Sequence, residues 1–406
     1  MIDGTLRTET VSKLQNLALI SLPMLRMMAI TDGPKSGLFC RKVRAAAPGS
    51  LQQVGSSLCY TLIAWIGLLR CAAEKCLAGD FYSLSFARLY SLLRQEPRAF
   101  TLGELGLMLW LDPLANTNWA SEIGSILNSR WPREKQRVDT MNVAWLLLGL
   151  SKNRHCAGRD RLMREALQFL TSAYNDSSGL FALDRPHWTR GLFGQKYRTV
   201  CGSFASQVYP IVALCEYARE YPGVNIVRMI RNCTDHICSL QGNSGEWWWI
   251  YDVRNSSVLA DYPVYSVHQD AMGPMCLLAA MKIDLESDYT YAINKSLDCL
   301  LVLKDADGTG FVDYTYPTIW RALGRDLSPE DPADLPFGLS HLEFERVKSM
   351  GPPLMASGPM GSSNCRSRIL REARPYCPGW ILLAYAEACD LLGGNVDCRV
   401  APPGEP

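Results

Sequence analysis

Apolar runs along this chain alternate with polar turns that end in glycine, and one plan recurs four times. The stretches LISLPMLRMMAITDGPKSGLFC, REALQFLTSAYNDSSGLFAL, NCTDHICSLQGNSGEWWWIY and INKSLDCLLVLKDADGTGFVDY share it. Each has an apolar helical run, a polar turn, a small hydroxyl residue, a glycine and a nearby aromatic. The glycines are Gly37, Gly179, Gly245 and Gly310. Glycine suits a helix C-terminus or a turn that needs positive φ. A second helix follows each copy: GSSLCYTLIAWIGLLRCAAE, GSFASQVYPIVALCEYARE, SVHQDAMGPMCLLAAMKI and, after a longer insertion, CPGWILLAYAEACDLL. These second helices are apolar on nearly every side, which predicts burial on most faces. The helices before the glycines keep a charged face and are expected outside. Two less regular pairs lie between the first and second copies. They are FYSLSFARLYSLLRQ with TLGELGLMLWLDPLA, and NWASEIGSILNSRW with DTMNVAWLLLGLSKN. The pattern predicts an all-α chain of six hairpins. Inner helices starting near Val143, Phe204 and His268 are spaced by about sixty residues, one hairpin plus its loop. Strand signals are few: EWWWIYDV with SSVLADYPVY as a hairpin around Asn255, and FVDYTYPTIW as an extended segment.

Composition narrows the classes. A net charge of +1 lacks the basic surplus of a nucleic-acid protein. No run of 18 apolar residues predicts a membrane span, and the first residues lack the plan of a signal peptide. The fifteen cysteines include no C-x-x-C pair. Cys215, Cys276, Cys299 and Cys389 sit in apolar runs and read as buried thiols, which favours a reducing cytoplasm. Cys233, His236 and Cys238 come nearest to a metal set, but their offsets do not share one helix face. No metal or cofactor is expected. DADGTG lacks the carboxylate a calcium loop needs at its twelfth position, which is Tyr316. Phosphate-loop and nucleophile-elbow motifs are missing. A single domain over 1–400 is expected, with the Pro/Gly-rich stretch 326–370 as a lid or flexible insertion. Nothing in the sequence sets the oligomeric state.

The repeated helix, glycine, aromatic, loop and helix resembles the (α/α)6 toroid of six-hairpin glycosidases and related enzymes. Unsaturated-uronyl hydrolases, sugar epimerases and uronyl C5-epimerases share that pattern. The resemblance spans roughly residues 12–395 and concerns architecture, so it carries over no catalytic residue. It implies short β-hairpin loops at a funnel mouth ringed by the inner helices. Locally, LQGNSGEW also resembles the Gln-x-x-x-Gly-x-Trp repeat of terpenoid cyclases, although the acidic D-x-D-D signature is missing.

In such a ring the post-glycine loops line the funnel. The richest is SGEWWWIYDVRNSSVLADYPVYSVHQDAMGP. It supplies the catalytic candidates Glu246, Asp252, His268 and Asp270. His268 stands two residues before Asp270 at the start of an inner helix, where an acid–base pair can be assembled. Binding candidates are Trp247, Trp248, Tyr262 and Tyr265 in this loop. Asp184, Arg185, Trp188 and Arg198 stand in the loop before it, and Asp313, Trp320 and Arg321 in the one after it. Aromatic faces stack on sugars, while carboxylates and arginines bond hydroxyls and uronates. Glycoside hydrolysis requires two carboxyls roughly 5–10 Å apart. The leading reading is an enzyme acting on a glycan or uronate-containing saccharide by hydrolysis, elimination or epimerisation. The alternatives are a non-catalytic toroid that binds glycan or partners in polysaccharide synthesis, and a terpenoid-cyclase-like enzyme.

Overall fold

The computed structural model describes residues 4–46, 50–77, 79–185, 196–325 and 367–392. Within them, twelve α-helices form six successive pairs. The pairs are α1 Gly4–Met28 with α2 Leu58–Arg70, α3 Phe81–Gln95 with α4 Leu102–Ala115, and α5 Ala120–Glu134 with α6 Thr140–Lys152. They continue as α7 Arg159–Ala173 with α8 Phe204–Glu220, α9 Val224–Ser239 with α10 Gly273–Ile283, and α11 Thr290–Val302 with α12 Tyr376–Leu392. The second members touch one another in order, α2 to α4, α6, α8, α10 and α12, and α12 returns to α2. A closed inner ring results. Side-chain pattern sorts the two layers. In α6 every residue from Val143 to Leu150 is buried, so no face is left for water. In α9 only Met229, Ile230, Cys233, Thr234 and Ile237 are buried, and they form one stripe. The first helix closes the outer layer by packing on α11 and α12, and Asn294 donates to Thr10 at 2.8 Å.

Backbones in the inner ring approach closely where two glycines meet. A methyl group on Gly149 of α6 would overlap the Gly106 carbonyl of α4. Gly67 of α2 and Gly379 of α12 are juxtaposed in the same way. These contacts draw the inner helices together without side chains between them.

The two ends of the ring differ. Short links join each inner helix to the following outer one. The links from outer to inner helices carry all the described strands, and they are long except before α4 and α6, where they span only 96–101 and 135–139. These are β1 Lys42–Ala45, β2 Leu51–Val54, β3 Tyr174–Asn175, β4 Leu180–Phe181, β5 Cys201–Ser203, β6 Ile250–Asp252 and β7 Ser257–Ala260. The series ends with β8 Val264–Tyr265, β9 Val312–Asp313, β10 Thr318–Ile319, β11 Ala322–Arg325, β12 Ser367–Leu370 and β13 Glu372–Ala373. They form small antiparallel sheets in the orders β13-β1-β2, β5-β6-β7 and β12-β11-β8, plus the hairpins β3-β4 and β9-β10. The hairpin expected around Asn255 is β6 with β7. The expected extended segment FVDYTYPTIW folds into β9 and β10. The insertion expected over 326–370 lies outside the described residues up to 366. Its last residues, Ser367–Leu370, form β12 and pair with β11.

The repeated glycine has a physical role in three copies and moves in the fourth. Gly37, Gly179 and Gly245 all have positive φ, which only glycine adopts without strain. In the last copy the positive φ belongs to Gly308, while Gly310 bridges Lys304. The positive-φ glycine there stands two residues earlier than the sequence register implies.

At the short-link end, ion pairs tie α12 to its two neighbours in the inner ring. Arg70 at the end of α2 reaches Glu387 at 3.1 Å and Asp390 at 2.9 Å. Lys282 at the end of α10 pairs with the same two acids. Basic groups here complement the negative ends of the inner helices. On the outer layer, Glu165 of α7 binds α5 through Lys135 at 2.7 Å and the Trp131 indole at 2.8 Å. Lys135 chiefly holds the Glu165 carboxyl down, from 4.5 to about 2. A depressed acid stabilises the fold above its unfolded pKa and loses that contribution as pH falls through the folded one. Glu165→Gln should therefore melt below the wild type at neutral pH. The gap between the two melting temperatures should narrow as pH falls from about 4.5 toward about 2. A gap that stays constant across an acid titration would refute this role. Among the described residues, no helix is long and apolar enough to cross a membrane.

Candidate functional site

All six inner helices start at the end that carries the strands, and their first turns surround one cavity of about 730 Å³. Helix α2 contributes Ser57, Cys59 and Tyr60, and α4 contributes Thr101 and Glu104. Asp139, Asn142 and Trp145 come from α6, and Ser203, Ser206 and Tyr209 from α8. His268 and Met272 stand on the π-helical turn His268–Met272 that leads into α10, and Tyr376 opens α12. Loop residues Arg41, Arg198, Trp249, Tyr265, Arg321 and Arg374 complete the wall.

Local sequence explains why these turns are well formed. Ser57 accepts the Tyr60 amide at 3.2 Å. Thr101 accepts the Glu104 amide at 3.1 Å, and Glu104 returns the bond to the Thr101 amide at 2.7 Å, a reciprocal capping box. Asp139 accepts the Asn142 amide at 2.8 Å, and Ser203 that of Ser206 at 3.1 Å. Each helix N-terminus carries a partial positive charge. Six of them converge on this cavity. Four arginines and two carboxylates, Glu104 and Asp139, stand on its wall.

The ionisable groups are tuned by their surroundings. Burial pushes the Glu104 carboxyl above its ordinary range, outweighing the hydrogen bonds from Thr101 and Cys59. Burial pushes His268 down to about 3, so its imidazole is neutral at physiological pH. Its ring is packed between Phe204 at 4.8 Å and Tyr265 at 5.2 Å. Arg198 lies 3.8 Å from Asp184 and 4.0 Å from Asp139. Among the described residues, no group of three or more His, Cys, Asp or Glu is arranged to hold a metal ion.

Of the residues singled out from sequence, the cavity gathers His268, Tyr265, Arg198 and Arg321. The others lie off its wall, for identifiable reasons. Asp270 is fully buried beneath it, accepts the Cys377 thiol at 3.3 Å, and is pushed well above the carboxylate range by burial. Asp252 is buried on β6 and paired with Arg254 at 2.6 Å. Glu246 braces its own turn by accepting the Ser244 amide at 3.1 Å. Trp247 is core, stacked on Phe204 at 5.4 Å. The Trp248 indole donates to the Leu240 carbonyl at 2.8 Å. Tyr262 is half-buried beside cis Pro263. Asp184 stands behind Arg198, and Arg185 covers the Phe169 ring at 4.8 Å. Asp313 caps the β9–β10 turn through the Thr315 amide at 3.0 Å, and Trp320 is core. Trp188 lies outside the described residues.

Trp249, Glu104, Asp139 and Arg374 were not among the residues singled out. For Glu104 and Asp139 a signal existed. Thr101-x-x-Glu104 is a capping-box sequence and Asp139 an N-cap residue, each directly before an apolar run.

No protein-family model matches the chain, and no curated protein does. Solved structures do match. An unsaturated glucuronyl hydrolase specific for heparin aligns over 97% of this chain and 100% of its own, at 10% identity and a TM-score of 0.58. An unsaturated glucuronyl hydrolase from Bacillus sp. GL1, responsible for glycosaminoglycan degradation, aligns over 92% and 96%, at 13% identity and TM-score 0.55. A D175N mutant of the Streptococcus agalactiae enzyme, complexed with dGlcA-GalNAc6S, aligns over 93% and 90%, at 11% identity and TM-score 0.53. The chain is an (α/α)6 toroid. Its cavity therefore occupies the funnel at the N-terminal ends of the toroid's inner helices.

Proposed function

We propose that the toroid binds an acidic saccharide in this cavity and acts on it by acid–base chemistry. The observation that carries the proposal is the convergence of six helix N-termini, four arginines and two carboxylates on one cavity lined with aromatic rings. Helix dipoles and guanidinium groups favour an anion. Tyr60, Trp145, Tyr209, Trp249, Tyr265 and Tyr376 offer flat faces for sugar rings. Glu104, which burial holds in its acid form to higher pH than an ordinary carboxyl, acts as proton donor. Asp139, on the adjacent inner helix, acts as the partner that activates water. His268 supplies a neutral polar wall. The dGlcA-GalNAc6S bound by one structural neighbour is in keeping with this ligand class. A terpenoid-type cavity would instead be apolar. The thirteen described cysteines are free thiols, in keeping with a reducing compartment.

A panel of oligosaccharides ending in a uronate or its neutral counterpart tests the reading through newly released reducing ends. Turnover restricted to the acidic series is the expected result. Absence of both turnover and binding across the panel would sink it. A second reading, non-catalytic binding, draws on one observation: both wall carboxylates already serve as helix caps. Tight binding without turnover would select it.

A further inference from the structure

Three side chains on the long-link end are fastened to one buried carboxylate. Glu372 of β13 takes the Arg374 Nε–H at 2.7 Å and Arg321 Nη1–H at 3.2 Å on the same oxygen, Oε1. Its other oxygen takes Lys42 Nζ at 2.6 Å. The main chain repeats the link, since the Arg321 amide donates to the Glu372 carbonyl at 2.8 Å. Each guanidinium also has a second support. Arg374 Nη1 donates to the Tyr60 hydroxyl at 3.1 Å, and Arg321 lies over the Tyr265 ring at 5.1 Å. Both arginines line the cavity, and Glu372 does not.

We infer that Glu372 is a positioning residue: it sets Arg321 and Arg374 as a paired fork that reads the carboxylate of an acidic sugar. This rests on the saccharide reading above. A guanidinium reads a carboxylate through two parallel N–H bonds, which demands a fixed plane. A long free arginine would lose rotamer entropy on binding, and anchoring removes that loss beforehand. Arg374, Arg321 and Lys42 together outweigh burial, which by itself would push the carboxyl up, and hold Glu372 below the ordinary carboxylate range. It therefore stays a charged anchor at neutral pH.

The sign of one substitution separates positioning from simple charge. Glu372→Gln removes a negative charge behind the arginines. If Glu372 acted only as charge, an anion would then bind more tightly. If it positions the fork, an anion binds less tightly. The measurement is calorimetric binding of methyl β-glucuronide and methyl β-glucoside to wild type and variant. The expected result is a wild-type preference for the glucuronide, and a loss of glucuronide affinity in Glu372→Gln of roughly tenfold to a hundredfold. Glucoside affinity should stay unchanged, which a merely structural defect would not allow. Tighter glucuronide binding, or equal weakening of both sugars, overturns the inference and leaves the saccharide reading standing. Equal wild-type affinity for the two sugars overturns the inference and the preference for an acidic saccharide together. Binding of neither sugar overturns both. Should Glu372→Gln fail to fold, Arg321→Lys is the second variant: it keeps the charge and removes the fork. Loss of the glucuronide preference is expected there, and a retained preference overturns the inference.

Discussion

Gly149→Ala is expected to lower the melting temperature by roughly 3–5 °C, a loss of about 3 kcal/mol for a chain of this size. The added methyl would overlap the Gly106 carbonyl on the neighbouring inner helix. Backbone cannot swing aside as a flexible side chain does, so α4 and α6 must separate. Separation is poorly tolerated here because the ring is closed. Moving one pair shifts the contacts that follow it around the circle, and close-packed interiors transmit such strain. Gly223→Ala is the control. A methyl there meets only Ile226 at 3.8 Å, an ordinary contact. Thermal melts of both variants against wild type decide the matter. Equal melting of Gly149→Ala and wild type would mean that the ring adjusts freely, and the rigid-contact account would fail.

Glu104→Gln and Asp139→Asn should each reduce kcat on a responsive acidic oligosaccharide by roughly 10²–10⁴-fold, the usual contribution of a general acid or base. The amides keep shape and polarity but cannot exchange a proton. Each substitution also weakens a helix cap, which costs about 1 kcal/mol and leaves the fold intact. The pH dependence adds a signed test. Glu104 must carry its proton to act as donor, so activity falls as pH rises through its pKa. Burial raises that pKa, which places the falling limb above the ordinary carboxylate range. Glu104→Gln should abolish that limb along with most of the rate. Turnover within about threefold of wild type in either variant would remove that residue from the proposed chemistry.

The architecture was legible because it rests on local rules. Apolar runs without a polar face mark inner helices, one-sided runs mark outer ones, and glycines mark the turns between them. All six pairs lie where the pattern puts them. The candidate site was legible only in part. His268 and Tyr265 were found because aromatic and ionisable residues crowd one loop. The same crowding drew weight to Glu246, Asp252 and Asp270, which the folded chain uses to brace a turn, pair with Arg254 and bury against Cys377. Residue type shows that a carboxyl is present. It does not show which way the carboxyl faces.

Trp247, Trp248 and Trp249 illustrate the division. Three consecutive tryptophans in an extended segment alternate in direction, so they cannot all share one environment. Only the fold decides that Trp247 stacks on Phe204 while Trp249 reaches the cavity. Glu104, Asp139, Arg321 and Arg374 repeat the lesson at longer range. Glu104 stands in the first turn of α4, Asp139 caps α6, and Arg321 and Arg374 share the link into α12, so ring closure alone brings them to one wall. Sequence by itself determined the helices, their layers and their order, because these follow from periodicity and burial within short windows. Tertiary structure decided the site, because a cavity is made by chain segments that meet only when the ring closes.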